Sequence, residues 1–293
     1  MKRYYIFILV LSCALPVHSI SSYKATYDLY GQTDLGNIKF GSAEYELIVA
    51  NNSYVFTSNS KTDKLWSAIY DYLRVETSIG LIEDNKLIGD YYRTIENQGD
   101  SISENYEINI YPNERYVTLK SPLIGNTLNK SGLEKLSDRE LILMAIDSGF
   151  ANKIVFGGSQ ARNPDVPSYE KEVANREELI GVLIESLWGI NSGDIVDPLS
   201  VYLHISEDIQ KYPNKKTFVY QIVDNKGVNQ REFTIDGFET ISIDNNEVET
   251  IRIISPKLRL IFNVSKDHNF MPVYINKTNG ETNFQVTLRD YNQ

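Results

Sequence analysis

Over most of the chain, apolar and polar residues alternate with a period of two, the mark of half-buried β-strands. In "NIKFGSAEYELIV" (37–49), Ile38 and Phe40 share one phase, and Ala43, Tyr45, Leu47 and Val49 continue in the opposite one. The switch falls at Gly41, so the pattern predicts a β-bulge or sharp bend there. Asn51-Asn52 reads as a turn and "SYVFTSNS" as the returning strand of a hairpin. "ENYEINIYPNERYVTLKS" repeats the logic, with Tyr106, Ile108 and Ile110 on one face and Pro112-Asn113 turning the chain. From Lys216 to the end, runs such as "TFVYQIVD", "REFTIDGFETISI", "LRLIFNVS" and "MPVYINKT" are strand-like. They are divided by turn chemistry at Asp224-Asn225-Lys226-Gly227 and Asp267-His268-Asn269. Short strands joined by tight turns predict an antiparallel meander.

Two regions carry a helical period instead. "TDKLWSAIYDYL" (62–73) places Leu65, Trp66, Ile69, Tyr70 and Leu73 at helical spacing behind Thr62 as a cap. Between about Asn126 and Tyr212, "SDRELILMAI" and "NREELIGVLIESLW" each open with a capping-box arrangement, Ser137 with Glu140 and Asn175 with Glu178. The polar, Gly- and Pro-rich "FGGSQARNPDVPSYEKE" between them reads as a loop. "DPLSVYLHISEDI" predicts a third helix, with Asp197 as cap and Pro198 in its first position. No repeat of fixed period and no Pro/Ser-rich linker separates the two β-rich halves. The expected organisation is a single β domain over 20–293, interrupted by a mainly helical insertion at about 126–211.

The N-terminus sets the compartment. Lys2 and Arg3 precede an apolar run from Tyr4 to Leu15, the layout of a secretory signal and too short to span a membrane. Val17-His18-Ser19 suits a signal peptidase, so 1–19 is expected to be removed and the mature chain to begin at Ile20 in the periplasm. The alternative is a lipobox, Val10-Leu11-Ser12-Cys13, with lipidation of Cys13 and an anchored lipoprotein. The apolar Ala14 to Val17 after that cysteine make a poor leash, which favours discarding it. Cys13 is the only cysteine, so the folded part has no disulfide and its core alone must hold it.

Charge narrows the partners. Losing Lys2 and Arg3 takes the formal charge from −10 to −12, a surface that repels phosphate backbones, so no nucleic-acid partner is expected. Tyrosine, at 20 residues, suits half-buried strands with polar tips.

Several stretches resemble a known family. "YKATYDLYG", "GNIKFGSAEYELI", "SYVFTSNSKT" and "LWSAIYDYLRVETS" are similar to the N-terminal part of the bacterial domain-of-unknown-function family numbered 3108. Asp197-Pro198-Leu199-Ser200 resembles that family's signature, and "LRLIFNVSKDHNFMPVYINKT" its closing hairpin. The resemblance covers roughly 23–115 and 195–291. It implies an exported, mainly β protein: a curved antiparallel sheet or incomplete barrel with a helical insertion. It implies no activity, and the long segment 126–194 departs from the family pattern.

No constellation selects a reaction. Ser200 and His204 lie one helical turn apart near Asp197, but an acid capping the helix that carries the histidine is misplaced for a triad. No catalytic residue is therefore assigned. His204 and His268 are far apart in sequence with no cysteine beside them, so no metal site and no cofactor are expected. What remains is apolar capacity: a curled sheet can enclose a ligand. Trp66, Tyr70, Tyr72 and Trp188 are the aromatics expected near its opening, and Asp197, Pro198, Leu199 and Ser200 are expected to be structural. The leading expectation is a non-enzymatic envelope protein binding an apolar small molecule or lipid. The alternative is an interaction module that docks an envelope protein through 126–194, and a hydrolase comes last.

Overall fold

A computed structural model describes residues 20–33, 36–68, 71–84, 86–99, 101–111, 116–120, 127–128, 137, 139, 141, 153–156, 170–173, 176–180, 195–225, 227–243, 246–279 and 282–293. The first half forms β1 (Tyr23–Thr33), β2 (Gly36–Ala50), β3 (Ser53–Thr62), β4 (Tyr72–Glu83), β5 (Lys86–Gln98), β6 (Ser101–Tyr111), β7 (Tyr116–Lys120) and β8 (Thr127–Leu128). After β9 (Lys153–Phe156), β10 (Glu170–Val173) and β11 (Ile195–Val196) come β12 (Thr217–Asp224), β13 (Gly227–Ile243), β14 (Asn246–Ser255), β15 (Leu260–Ser265), β16 (Met271–Asn279) and β17 (Thr282–Asn292). Two helices are α1 (Lys64–Ser67) and α2 (Val201–Lys211).

Each half is a meander of neighbours in sequence, and antiparallel pairing of β1 with β17 welds them into one sheet of fifteen strands. Its edges are β8 and the short β11, which pairs parallel with β12. The sheet is not closed into a barrel. It curls far enough that β11 comes against β5, where Gly89 meets the Ile195 carbonyl. β9 and β10 form a separate parallel pair. Among the described residues no helix is long and apolar enough to cross a membrane.

Local sequence features explain the bends. The register of β1 on β2 slips between Leu29 and Tyr30, which pair with Gly41 and Lys39, so a bulge stands where the apolar phase changes. A Cβ on Gly41 would collide with the Lys61 carbonyl, so only glycine fits between these strands. Asn51 and Asn52 both have positive φ, the conformation that a two-residue hairpin turn requires.

One expected element is shorter than its pattern suggested. Among the described residues the helix read over 62–73 covers only the four residues of α1, and Tyr72 and Leu73 belong to β4. Four residues bury no apolar stripe, and Leu65 is left 79% exposed. Pairing of Leu73 with both Lys61 and Asn97 wins over so short a helix, whose nucleation is costly. Thr62 does not cap a helix. Its hydroxyl bridges the Tyr72 N–H (2.8 Å) and carbonyl (3.2 Å), pinning the start of β4.

In the 126–211 segment the described residues mix strands with helix. Residues 176–180 and α2 are helical, whereas 153–156 and 170–173 are strands, so both ends of the expected loop are extended. The α2 helix lies between two apolar clusters. Leu199 and Leu203 join the inward faces of β1 to β7, while Val201, Ile205 and Ile209 join Phe218, Phe233 and Phe262 of the second half.

Candidate functional site

The inward face of β2 to β6 is laid out in rows fixed by strand register. One row is apolar but for the hydroxyls of Ser78 and Tyr92: Leu47, Phe56, Ser78, Tyr92, Ile108 and, on β7, Leu119. The next is Tyr45, Ser58, Glu76, Thr94 and Tyr106. Beyond it stand Ser60, Arg74, Glu96 and Glu104. Polarity therefore rises along the strands over three successive inward positions, although alternation alone would fill all of them with apolar side chains.

Arg74 organises the polar end. Its guanidinium lies 2.7 Å from Glu96, 3.0 Å from Glu104 and 3.1 Å from Glu76. Tyr92 donates to Glu76 at 2.6 Å, Tyr72 to Glu96 at 3.3 Å, and Gln98 and Ser103 also donate to Glu96. Burial alone would lower the Arg74 pKa, but Glu76, Tyr92 and Glu96 hold it above its ordinary value. Burial likewise works to raise Glu96. The hydrogen bonds from Arg74, Gln98 and Ser103 outweigh it and keep that carboxyl below its usual range. Burial, reinforced by Glu76, pushes the Tyr45 phenol up to about 12. Tyr202 of α2 also has its pKa raised, mainly by burial and also by Tyr45 and Glu76, and its ring packs edge-on against Phe262 at 5.5 Å.

Two properties of the cluster bear on ligands. One guanidinium faces three carboxylates, leaving a surplus of two negative charges in a half-enclosed setting. Between Glu76 and Tyr106 lies Thr94, fully buried, whose hydroxyl has no hydrogen-bond partner among the described residues. Thr26, Ser58, Ser255 and Ser265 also carry buried hydroxyls without a partner among the described residues, and Ser58 stands in the same row, opposite Glu76.

Next to this cluster sits a latch. Asp197, wholly buried, accepts the N–H of Leu199 (2.9 Å) and of Ser200 (2.8 Å) on Oδ1, and the hydroxyls of Ser200 (2.6 Å) and Ser78 (2.7 Å) on Oδ2. The first two bonds close the turn over 198–200 that leads into α2. The N-cap of α2 itself is Ser200, three residues later than the sequence suggests, and it makes no side-chain cap bond. The bond from Ser78 ties this turn to β4. Burial pushes Asp197 up, against the pull of its donors. Ser200 spends its proton on Asp197, so the acid holds the serine and the helix start, an arrangement unlike a nucleophile activated by histidine. The His204 ring packs edge-on to Tyr220, 6.1 Å between centroids.

Of the aromatics singled out in the sequence, Tyr72 joins the cluster through Glu96. Trp66 is half-buried on α1, with no part in these bonds among the described residues. Tyr70, Trp188 and Cys13 lie outside the described residues. Sequence reading missed Arg74, Glu76, Glu96 and Glu104. The one available signal was "YLRVETSIG", where Arg74 and Glu76 occupy the same phase as the buried Ser78 and Gly80.

No family model matches the chain, so the resemblance to family 3108 rests on the quoted motifs alone. No curated protein matches it either. Among solved structures, it is similar to a β-barrel-like protein of domain-of-unknown-function family 1849 from Brucella abortus. That match has 8% identity over 94% of this chain and 98% of the other, with a TM-score of 0.46. The likeness is one of general outline, and no residue role or ligand is taken from it.

Proposed function

We propose that this chain is an exported, non-enzymatic binding protein of the bacterial envelope, and that the inward face of β2 to β6 holds an amphipathic ligand. The Leu47–Leu119 row is closed by core packing, so the apolar part would have to part that packing to lie along it, while a cationic or donor-rich head would meet Glu76, Glu96 and Glu104. The observation that carries this reading is the gradation of the three rows, ending in surplus carboxylates around the unpartnered Thr94 hydroxyl. Export follows from the basic and apolar N-terminus read above, with soluble release after Ser19 preferred over anchoring at Cys13. Such a site needs no cofactor, since its work is desolvation and charge complementarity.

Native mass spectrometry of the protein purified from periplasmic extract of its own cells tests this. The expected result is a bound small amphiphile, released on denaturation. A chain free of small molecules would sink the proposal. Co-purification of a protein partner that depends on 126–194 would support the interaction reading instead.

A further inference from the structure

A second recess lies on the other face of the sheet, away from α2. Arg252, Asn263, Tyr274 and Thr287 pair in register as one row across β14 to β17. They alternate with Ile253, Phe262 and Ile275, which pack in the α2 cluster, so the row faces the opposite side. With Glu239 and Ile241 from β13 it lines a half-open recess of about 380 Å³. That lies within the roughly 300–1,000 Å³ of small-ligand clefts.

The floor of the recess is unusual. Asn263 is 1% exposed, and its amide nitrogen donates to Glu239 (2.6 Å) and to the Thr250 hydroxyl (2.8 Å). Turning the amide over would set its oxygen against the Glu239 carboxylate, so the orientation is fixed. The amide oxygen, buried, then has no donor among the described residues. A buried acceptor left without a donor is a standing cost that a donor from outside would relieve.

The lining selects what that donor belongs to. Of the residues lining the recess only Arg252 and Glu239 are charged, one of each sign and 3.8 Å apart. Asp236, 3.3 Å from Arg252, stands outside the lining, so the lining itself is balanced. β14 to β17 are interior strands, paired on both sides, so an extended peptide would find no free main-chain edge. A lipid tail would find apolar stems here, but it would also have to cover Glu239, Arg252, Asn263 and Asn276. We infer that this recess binds a neutral polyhydroxylated ligand of monosaccharide size. One hydroxyl donates to Asn263 Oδ1, others bond Tyr274 and Thr287, and the apolar face of the ring lies on Ile241.

The probes are glucose, mannose, galactose and N-acetylglucosamine, titrated into the whole ¹⁵N-labelled chain and followed by NMR. The expected result is a saturable shift of the Asn263 side-chain amide and of Tyr274 and Thr287 with at least one sugar, at a Kd on the order of millimolar. Tyr274→Phe and Thr287→Val, both at the rim, should each weaken it roughly 3- to 10-fold while the spectrum stays dispersed. No saturable shift from any of the four up to about 100 mM would overturn the inference. So would shifts unchanged in both variants, or an equal response to sulfate or spermidine.

Discussion

Ser78 and Asp197, 119 positions apart in sequence, are joined by a 2.7 Å hydrogen bond, and both are fully buried. This bond fastens the turn before α2 to β4. Ser78 lies two positions from Glu76 on that strand, so the latch borders the polar cluster.

Asp197→Ala should therefore cost about 3–5 kcal/mol in urea unfolding, because two buried N–H groups and two buried hydroxyls lose their acceptor together. Ser78→Ala removes one of four donors and should cost about 1 kcal/mol. Equal losses for the two variants would contradict the assignment of Asp197 as the hub.

The pH dependence of Asp197 has a definite sign. Burial raises its pKa in the fold above the ordinary 3.8, so folding favours the protonated form. That contribution is fully present below 3.8 and is lost as pH rises through the raised value. Asp197→Asn has no charge to bury. Its urea midpoint should gain on the wild type as pH climbs above 3.8, and a difference that moves the other way would refute this.

Arg74→Met should destabilise the chain at neutral pH by about 2–3 kcal/mol. This is below the roughly 3–5 of a fully buried pair, since the Arg74 side chain keeps 23% exposure. Glu96 is held below its ordinary 4.5, so its contribution is present above 4.5 and fades as pH falls through the lowered value. Wild-type stability should then drop more steeply below pH 4.5 than that of Arg74→Met. Parallel curves would show that Arg74 does not set the Glu96 pKa.

Two glycines should respond in opposite ways to alanine. At Gly80 a Cβ would press on the Ile88 carbonyl and come within 2.5 Å of the Tyr54 ring, so Gly80→Ala should lose about 3 kcal/mol or fail to fold. Gly237 has open space and no positive φ, so Gly237→Ala should gain about 0.4–1 kcal/mol. Thermal melts of both variants check the pair.

What could be read in advance was local. The bulge at Gly41 and the Asn51-Asn52 turn depend on residues within a few positions of one another, and both are present, while α2 begins three residues later than its Asp-Pro start suggested. The helix over 62–73 failed because spacing cannot report that Tyr72 and Leu73 have strand partners at Gln98 and Asn97. The Arg74 cluster was hidden for the same reason. Glu76 and Thr94 become neighbours only through the register of β4 on β5, and charged residues in a strand ordinarily read as its solvent side. Tyr72 was chosen for its ring, yet it is its hydroxyl that enters the cluster.

If the acidic, tyrosine-lined end of the inward face selects the head of an amphiphile, head-group charge should decide affinity. Calorimetric titration of the whole chain with dodecylammonium and with laurate, both below their micellar concentrations, measures this. Dodecylammonium should bind about tenfold more tightly or better, a difference of about 1.4 kcal/mol, and Glu76→Gln should erase much of that preference. Laurate binding as tightly, no saturable heat from either probe, or a preference untouched by Glu76→Gln would show that these carboxylates do not hold such a head group.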